Sequence, residues 1–233
     1  PTEIVEKLPK IVRPVLEKVH LSIIKKMDYV VACSKSLQKV FVEQYGMNVL
    51  VVQNAVNTEF FIPVHAEGKK QLRKEIGLPI DKYIYLVLGS LRERKNVELI
   101  INAFKEIENK NIQLLIVGTG PDKDVLVKKA SKDDRILFTG VTNTPKNYLQ
   151  ASDFLVSSAL AEGLPNTVLE ALSCGLIPIL SDIEPHKEIV KNTVVEHIFE
   201  RRSKEELKSM LIDSLTWNMC DQSKGARQVA VHT

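Results

Sequence analysis

The feature that most constrains this chain is a run of short apolar segments separated by longer amphipathic ones. Tyr83-Ile-Tyr-Leu-Val-Leu88, Ile112-Gln-Leu-Leu-Ile-Val117, Arg135-Ile-Leu-Phe138, Phe154-Leu-Val156 and Leu176-Ile-Pro-Ile-Leu180 read as strands. Each is nearly continuous in apolar character, as a strand covered on both faces must be. Between them, Val97, Ile100, Ile101, Phe104 and Ile107 recur at helical spacing. Helices are likewise predicted over 124–130, 144–150, 166–174 and 185–191, with a short last strand at 193–196 and a final helix over 204–215. Strand and helix in strict alternation imply an α/β fold with a doubly wound parallel sheet, Rossmann-like in architecture. Ligands bind such sheets at the C-terminal ends of the strands. After Trp217 the pattern dissolves, and residues 218–233 read as a tail.

Upstream the pattern is thinner. Residues 11–27 place Val12, Val15, Leu16, Val19, Ile23 and Met27 on one helical face, opposite Lys10, Arg13, Lys18, Lys25 and Lys26. Such a basic amphipathic helix can lie on a membrane surface, and equally fits the surface of a folded domain. Asp28–Cys33 and Asn48–Val52 read as strands around a helix from Lys35 to Tyr45, capped by Ser34 and stopped by Gly46. This partial second α/β unit occupies residues 1–54. Residues 55–82 read as a linker, with a short helix at Arg73–Ile76 ended by Gly77 and Pro79. The regular domain runs 83–217.

Composition narrows the function. With 233 residues and 44% hydrophobic content the chain can bury a substantial core. Its net charge of +3, with both signs mixed, argues against a nucleic-acid surface, which concentrates basic residues. Cys33, Cys174 and Cys220 have no paired spacing, so reduced thiols in a cytoplasmic protein are expected. No apolar run reaches about 18 residues, no signal peptide is visible, and no His/Asp/Glu cluster has metal-ligand spacing. The start at Pro1 rather than Met suggests a truncated piece.

The chemistry concentrates in loops that follow strands. Gly89-Ser90-Leu91-Arg92-Glu93-Arg94-Lys95-Asn96 places three cations between a strand and a helix. It suits a diphosphate clamp, although a solvated charged loop would look the same. Val117-Gly118-Thr119-Gly120-Pro121 permits close backbone approach to a ligand or a plain tight turn. It is not the dinucleotide fingerprint, which needs a third glycine and a following helix. Thr139-Gly140-Val141-Thr142-Asn143 could present backbone groups to a base edge.

A fourth loop carries two acids. In Ala161-Glu162-Gly163-Leu164-Pro165-Asn166-Thr167-Val168-Leu169-Glu170, seven residues separate the glutamates. Asn166 and Thr167 can cap a helix that Val168, Leu169, Ala171 and Leu172 mark as buried. Acids on an apolar segment are costly unless paired or serving a ligand. An anion at the helix start, with hydroxyls for the carboxylates, would use them; pairing with Lys or Arg elsewhere would also satisfy them. Four loops converging on one sheet edge favour a nucleotide ligand.

The order of Val31-Ala-Cys-Ser34, Gln53-Asn-Ala-Val56, Phe61–Pro63, Gly89–Asn96, Val117–Pro121, Phe138–Gly140, Ala151-Ser-Asp153 and the paired glutamates, followed by Ala171-Leu-Ser-Cys-Gly-Leu-Ile-Pro178, resembles the family 4 retaining glycosyltransferases of two-domain GT-B architecture. The likeness covers about residues 28–190. It implies that residues 83–217 form the C-terminal donor-binding domain and residues 1–54 a remnant of the acceptor-binding domain. It implies that Glu162 faces hydroxyls of the donor sugar and that Glu170 binds the ribose. The backbone of Gly163, Leu164, Pro165, Asn166 and Thr167 would meet sugar and pyrophosphate. Lys95 matches the family's phosphate-binding lysine. Where the family places an arginine this chain has Ser90, so Arg92 or Arg94 would supply the charge, Arg94 lying nearer the helix start. Gly118 falls among the donor-binding positions, and Gly140, Val141 and Thr142 in the base-contacting region.

The implied reaction moves a sugar from a nucleotide sugar, such as a UDP- or GDP-sugar, to a glycan or lipid-linked acceptor with retention of configuration. No metal is implied, and the form Glu-Gly-Leu-Pro-Asn points to surface-polysaccharide synthesis. The basic first helix leaves open peripheral contact with the inner face of a membrane. With its acceptor domain mostly missing, this polypeptide is expected to bind donor but transfer poorly. A non-catalytic nucleotide-binding or scaffold module is the alternative; an epimerase or phosphorylase would show other carboxylate, histidine or lysine patterns.

Overall fold

In a computed structural model, residues 13–232 are described. The chain divides between Gln53 and Asn54 into two compact units. In the first, helix α1 (Arg13–Ile24) precedes strand β1 (Val31–Ala32), helix α2 (Lys35–Tyr45) and strand β2 (Leu50–Val51). The strands pair in parallel, Val31 against Leu50 and Ala32 against Val51. Ser34 caps α2, its Oγ accepting from the Leu37 N–H at 3.1 Å, and Gly46 ends it in the left-handed region at φ 60°. The helix expected over 11–27 is described only from Arg13, so Lys10 and Val12 lie outside the described residues. Val15, Val19 and Ile23 on its apolar stripe stand exposed. Two strands alone offer too little surface to cover such a stripe.

The second unit is built on strands β3 (Tyr83–Leu88), β4 (Ile112–Val117), β5 (Ile136–Gly140), β6 (Phe154–Ser157), β7 (Ile177–Ser181) and β8 (Ile198–Phe199). All pair in parallel in the order β5-β4-β3-β6-β7-β8. Helices α4 (Val97–Lys105), α5 (Lys123–Ala130), α6 (Pro145–Ala151), α7 (Asn166–Ser173), α8 (Glu184–Val190) and α9 (Lys204–Asp213) connect or follow them. The strands β3, β4, β6 and β7 are largely buried, which is why they read as apolar runs. Tyr85 stacks on Phe154 with ring centroids 4.6 Å apart, and its hydroxyl donates to the Leu211 carbonyl at 3.0 Å. The last strand lies at 198–199, not 193–196. There the chain turns, with Thr193 N–H bonding to the Val190 carbonyl.

Two segments differ from the sequence reading more deeply. Residues 55–82, read as a linker with a helix at 73–76, belong to the second unit and carry a longer helix, α3 (Ala66–Glu75). Its buried Arg73 donates to the carbonyls of Ala151, Ile80 and Lys82 and to Asp153 Oδ2 at 2.7 Å. Asp153 also accepts from Lys69 and from the Ile84 N–H. Polar anchoring, invisible to apolar periodicity, holds α3 to the sheet. Residues 219–232, read as a tail, form helix α10 (Met219–His232). Its buried face is Gly225, Ala226 and Ala230, residues too small to register as an apolar stripe. A side chain at Gly225 would overlap Val194. Arg227 fastens α10 through the carbonyls of Thr58, Phe61 and Ser173.

Candidate donor site

The strand order reverses at β3 and β6, so their exit loops run in opposite directions and leave a crevice between them. Gly89, Ser90, Lys95, Ser157, Pro165 and Thr167 line it. Its floor is the pair β3–β6 and one wall is the start of α7.

The cation loop is held by backbone bonds. The β3 and β4 exits continue in register past the strand ends: Gly89 N–H reaches the Val117 carbonyl at 3.0 Å, and Leu91 N–H the Thr119 carbonyl at 2.9 Å. Gly118 N–H reaches the Gly140 carbonyl at 2.8 Å. A Cβ on Gly118 would overlap the Gly89 carbonyl, and one on Gly120 would overlap that of Leu91. The close approach these glycines permit is therefore between neighbouring loops. Gly118 (φ 142°) sits directly behind Gly89. Beyond Leu91 and the half-buried Arg92, a 3-10 turn, Glu93–Lys95, ends at Asn96 in the left-handed region (φ 51°, ψ 36°).

The β6 exit is sewn to that turn. Leu160 N–H donates to the Arg94 carbonyl at 2.8 Å. The buried Ser158 hydroxyl lies 3.1 Å from the Lys95 carbonyl and 2.8 Å from that of Asn96. With these carbonyls drawn toward β6, the side chains of Arg94 and Lys95 meet Glu162. Arg94 Nη1 stands 3.1 Å from Glu162 Oε2 and 3.2 Å from the Ala161 carbonyl. Lys95 Nζ contacts Glu162 Oε1. The Glu162 side chain is only 9% exposed. The two readings of this acid thus merge: it pairs with cations, and one of them, Lys95, lines the candidate site.

Glu170 differs. It stands half-buried on α7 with no hydrogen bond or ion pair to its carboxylate among the described residues. Burial raises its carboxyl above the ordinary value. A half-buried carboxylate left without a partner suits ligand hydroxyls. The start of α7 is equally open. The expected Asn-Thr cap is not formed: Pro165 is the N-cap residue and no side chain closes the first turn. Asn166 is already helical, so the Asn166 and Thr167 N–H groups have no acceptor among the described residues and face outward for an anion. Gly163 and the buried Leu164 lead into this turn, and Asn54 Nδ2 holds it by donating to the Leu164 carbonyl at 2.9 Å. At the exit of β5, the edge strand beyond β4, Gly140 turns at φ 77°, Val141 is 71% exposed, and the Thr142 hydroxyl closes a local turn with Thr144.

Sequence reasoning missed a second row of residues beneath the site. Ser181 Oγ donates to the Ala159 carbonyl at 2.6 Å. Fully buried His186 has Nδ1 2.9 Å from the Ser181 carbonyl, which can only accept, so Nδ1 carries the proton. Burial pushes His186 down to about 4, keeping the ring neutral. Its Nε2, an acceptor in that tautomer, lies 3.5 Å from the Ser157 hydroxyl. Among the described residues no cluster of three or more His, Cys, Asp or Glu could hold a metal ion, and no helix is long and apolar enough to cross a membrane.

The chain resembles known proteins in sequence and in fold. A family model described as glycosyl transferases group 1 matches residues 68–224. The chain is 33% identical over 154 residues to the Escherichia coli UDP-Gal:alpha-D-GlcNAc-diphosphoundecaprenol alpha-1,3-galactosyltransferase, covering 63% of this chain and 40% of that protein. It is 28% identical over 155 residues to the putative teichuronic acid biosynthesis glycosyltransferase TuaC of Bacillus subtilis, covering 66% and 38%. The chain thus spans less than half the length of these relatives. Among solved structures, sucrose-phosphate synthase from Thermosynechococcus elongatus superposes with a TM-score of 0.82 at 20% identity, covering 98% of this chain and 61% of that one. Anabaena HepE in complex with UDP and glucose gives 0.79 at 17% identity, covering 92% and 60%. These structural likenesses establish the shared fold, GT-B and Rossmann-like. The family model extends over more than half of the residues, from α3 to α10, and the chain belongs to the group 1 glycosyl transferases.

Proposed function

We propose that this chain is the nucleotide-sugar-binding part of a retaining glycosyltransferase. The observation that carries the reading is a switch-point crevice lined by Lys95 and by an uncapped helix start, with Lys95 and Arg94 both on Glu162 and the unpartnered Glu170 on that same helix. The diphosphate would lie across the crevice, on the Asn166 and Thr167 N–H groups, with Lys95 as point charge and Arg94 as planar fork. Ser90 leaves room at the strand exit for the phosphates to approach. Glu170, without a partner, would accept from the ribose hydroxyls. Glu162 would face sugar hydroxyls, and the Gly140–Thr142 loop, with Val141 exposed, would meet the base.

In this arrangement the leaving group is a nucleoside diphosphate. Cations fixed where its charge develops stabilise the transition state, and the reading requires no divalent metal. The acceptor is a glycan or lipid-linked glycan, in keeping with what the named relatives from Escherichia coli and Bacillus subtilis are named for. Calorimetric titration with UDP, GDP and a panel of their sugars tests the proposal. Binding of one nucleotide class is expected, lost on Lys95→Ala. A folded sample that binds none of them would overturn it in favour of a scaffold module.

A further inference from the structure

The donor site as read above contains a conflict. Lys95 and Arg94 are assigned to the diphosphate, yet in this structure both already hold Glu162. The Glu162 carboxylate is nearly excluded from water, so it cannot simply turn outward at no cost. A diphosphate entering the crevice takes the cations for itself. Glu162 is then a buried carboxylate facing anionic phosphates, with its former partners shared or gone. One kind of ligand repairs this. A sugar attached to the diphosphate brings hydroxyl donors to the same place, and each can give a hydrogen bond to Glu162. A bare nucleoside diphosphate brings none.

We infer that Glu162 is a specificity-determining counterion: it pairs with the two cations a diphosphate would take and makes the site favour a sugar-bearing diphosphate over the bare one. The role rests on the donor-site reading and adds to it. It gives the acid a duty on both sides of the reaction. Before transfer, sugar hydroxyls satisfy it. After transfer the sugar leaves, Glu162 competes again for Lys95 and Arg94, and the nucleoside diphosphate is released more readily. No bond is made or broken by Glu162 in this role. The loop geometry supports it. Leu160 N–H on the Arg94 carbonyl and the Ser158 hydroxyl on those of Lys95 and Asn96 fix cations and acid to one frame, so neither can drift away when a ligand arrives.

The test compares Glu162→Gln with wild type by calorimetry, using UDP, GDP and the nucleotide sugar that wild type binds best. Glutamine keeps the size and removes the charge. The expected result is diphosphate binding at least tenfold tighter in Glu162→Gln, with nucleotide-sugar binding unchanged or weaker, so that the preference for donor collapses. Glu162→Asp, which withdraws the charge by one methylene, is expected to fall between the two. It also carries the test if the glutamine variant does not fold. Equal or weaker diphosphate binding in the folded glutamine variant, or in the aspartate variant if only that folds, overturns the counterion role while leaving the donor site standing. If wild type binds neither diphosphates nor nucleotide sugars, the donor-site reading falls and the counterion role falls with it.

Discussion

Ser158 offers the sharpest test of how the site is held. It is fully buried at the exit of β6, and its hydroxyl serves two carbonyls, Lys95 at 3.1 Å and Asn96 at 2.8 Å. The Asn96 carbonyl has another donor, the Leu99 N–H at 3.0 Å. The Lys95 carbonyl has no other donor among the described residues. Ser158→Ala therefore leaves a half-buried carbonyl unsatisfied, a loss of about 1–3 kcal/mol. For a chain of this size each kcal/mol moves the melting temperature by about 2–4 °C, so a drop of roughly 2–12 °C is expected. The same bond helps hold Asn96 in the left-handed region, which anchors the turn carrying Arg94 and Lys95. Once it is lost, the Lys95 ammonium is less well placed for phosphate. Charge-assisted hydrogen bonds of this kind contribute about 1.5–3 kcal/mol, so even partial loss weakens diphosphate binding by about tenfold. Thermal melts followed by titration with nucleoside diphosphate and with the matching nucleoside separate the effects. The nucleoside, which has no phosphate, should bind as before. A destabilised Ser158→Ala protein with unchanged diphosphate affinity would refute the positioning argument, and one with neither change would refute the hydrogen bonding as well.

Two further outcomes follow from the same geometry. Gly118→Ala combines an overlap with the Gly89 carbonyl and a φ of 142°, so about 3 kcal/mol or more of destabilisation is expected in urea melts; a loss below about 1 kcal/mol would mean the β3 and β4 exits can separate freely. Glu170→Gln is expected to stabilise the empty protein at pH 7 while weakening nucleoside diphosphate binding. Burial raises the Glu170 carboxyl, so the native state holds its proton to higher pH than the unfolded chain, and stability is lost as pH rises through the native value. Melts in the absence of ligand should show the variant's advantage closing as pH falls through the native value and on below the ordinary glutamate value of about 4.3, under which both states take up the proton; an advantage independent of pH would point to a cause other than charge.

The sheet was legible because its strands are covered on both faces. The expected limits of β3 and β4 match the structure to the residue, and α4 to α9 fall within a residue or two of expectation. Two packing modes that leave no periodic trace were not legible. One is α10, whose contact face is glycine and alanine and whose anchor is a single arginine. The other is α3, whose anchor is the Arg73–Asp153 pair with its ring of carbonyls. Arg73 reads from the sequence as one more surface cation of a charged helix. Only the arrival of three carbonyls and a carboxylate around it makes it a core residue, and those lie 7 to 80 positions away.

The candidate site divides along the same line. The charged residues of the candidate site were legible, since loops after parallel strands must gather at one edge. Charge there invites a chemical reading, and Lys95, Arg94 and Glu162 do meet. The residues that make this meeting rigid are Ser158, Ser181, His186 and Asn54. They satisfy backbone carbonyls, and any Ser or Asn in any loop could do so. Yet they decide what the charges can do. Without Ser158 and the Leu160 N–H, Arg94 and Lys95 would be flexible surface cations, and their pairing with Glu162 would be worth little. Held on one frame and partly shielded from solvent, the three charges form a set that an anionic ligand binding there would have to rearrange. His186 strengthens this by remaining uncharged: a protonated imidazole at that depth would add a further cation beneath the acid and weaken its claim on Lys95. The neutral ring, fixed by the Ser181 carbonyl, would leave a contest over Lys95 and Arg94 to Glu162 and an anionic ligand alone.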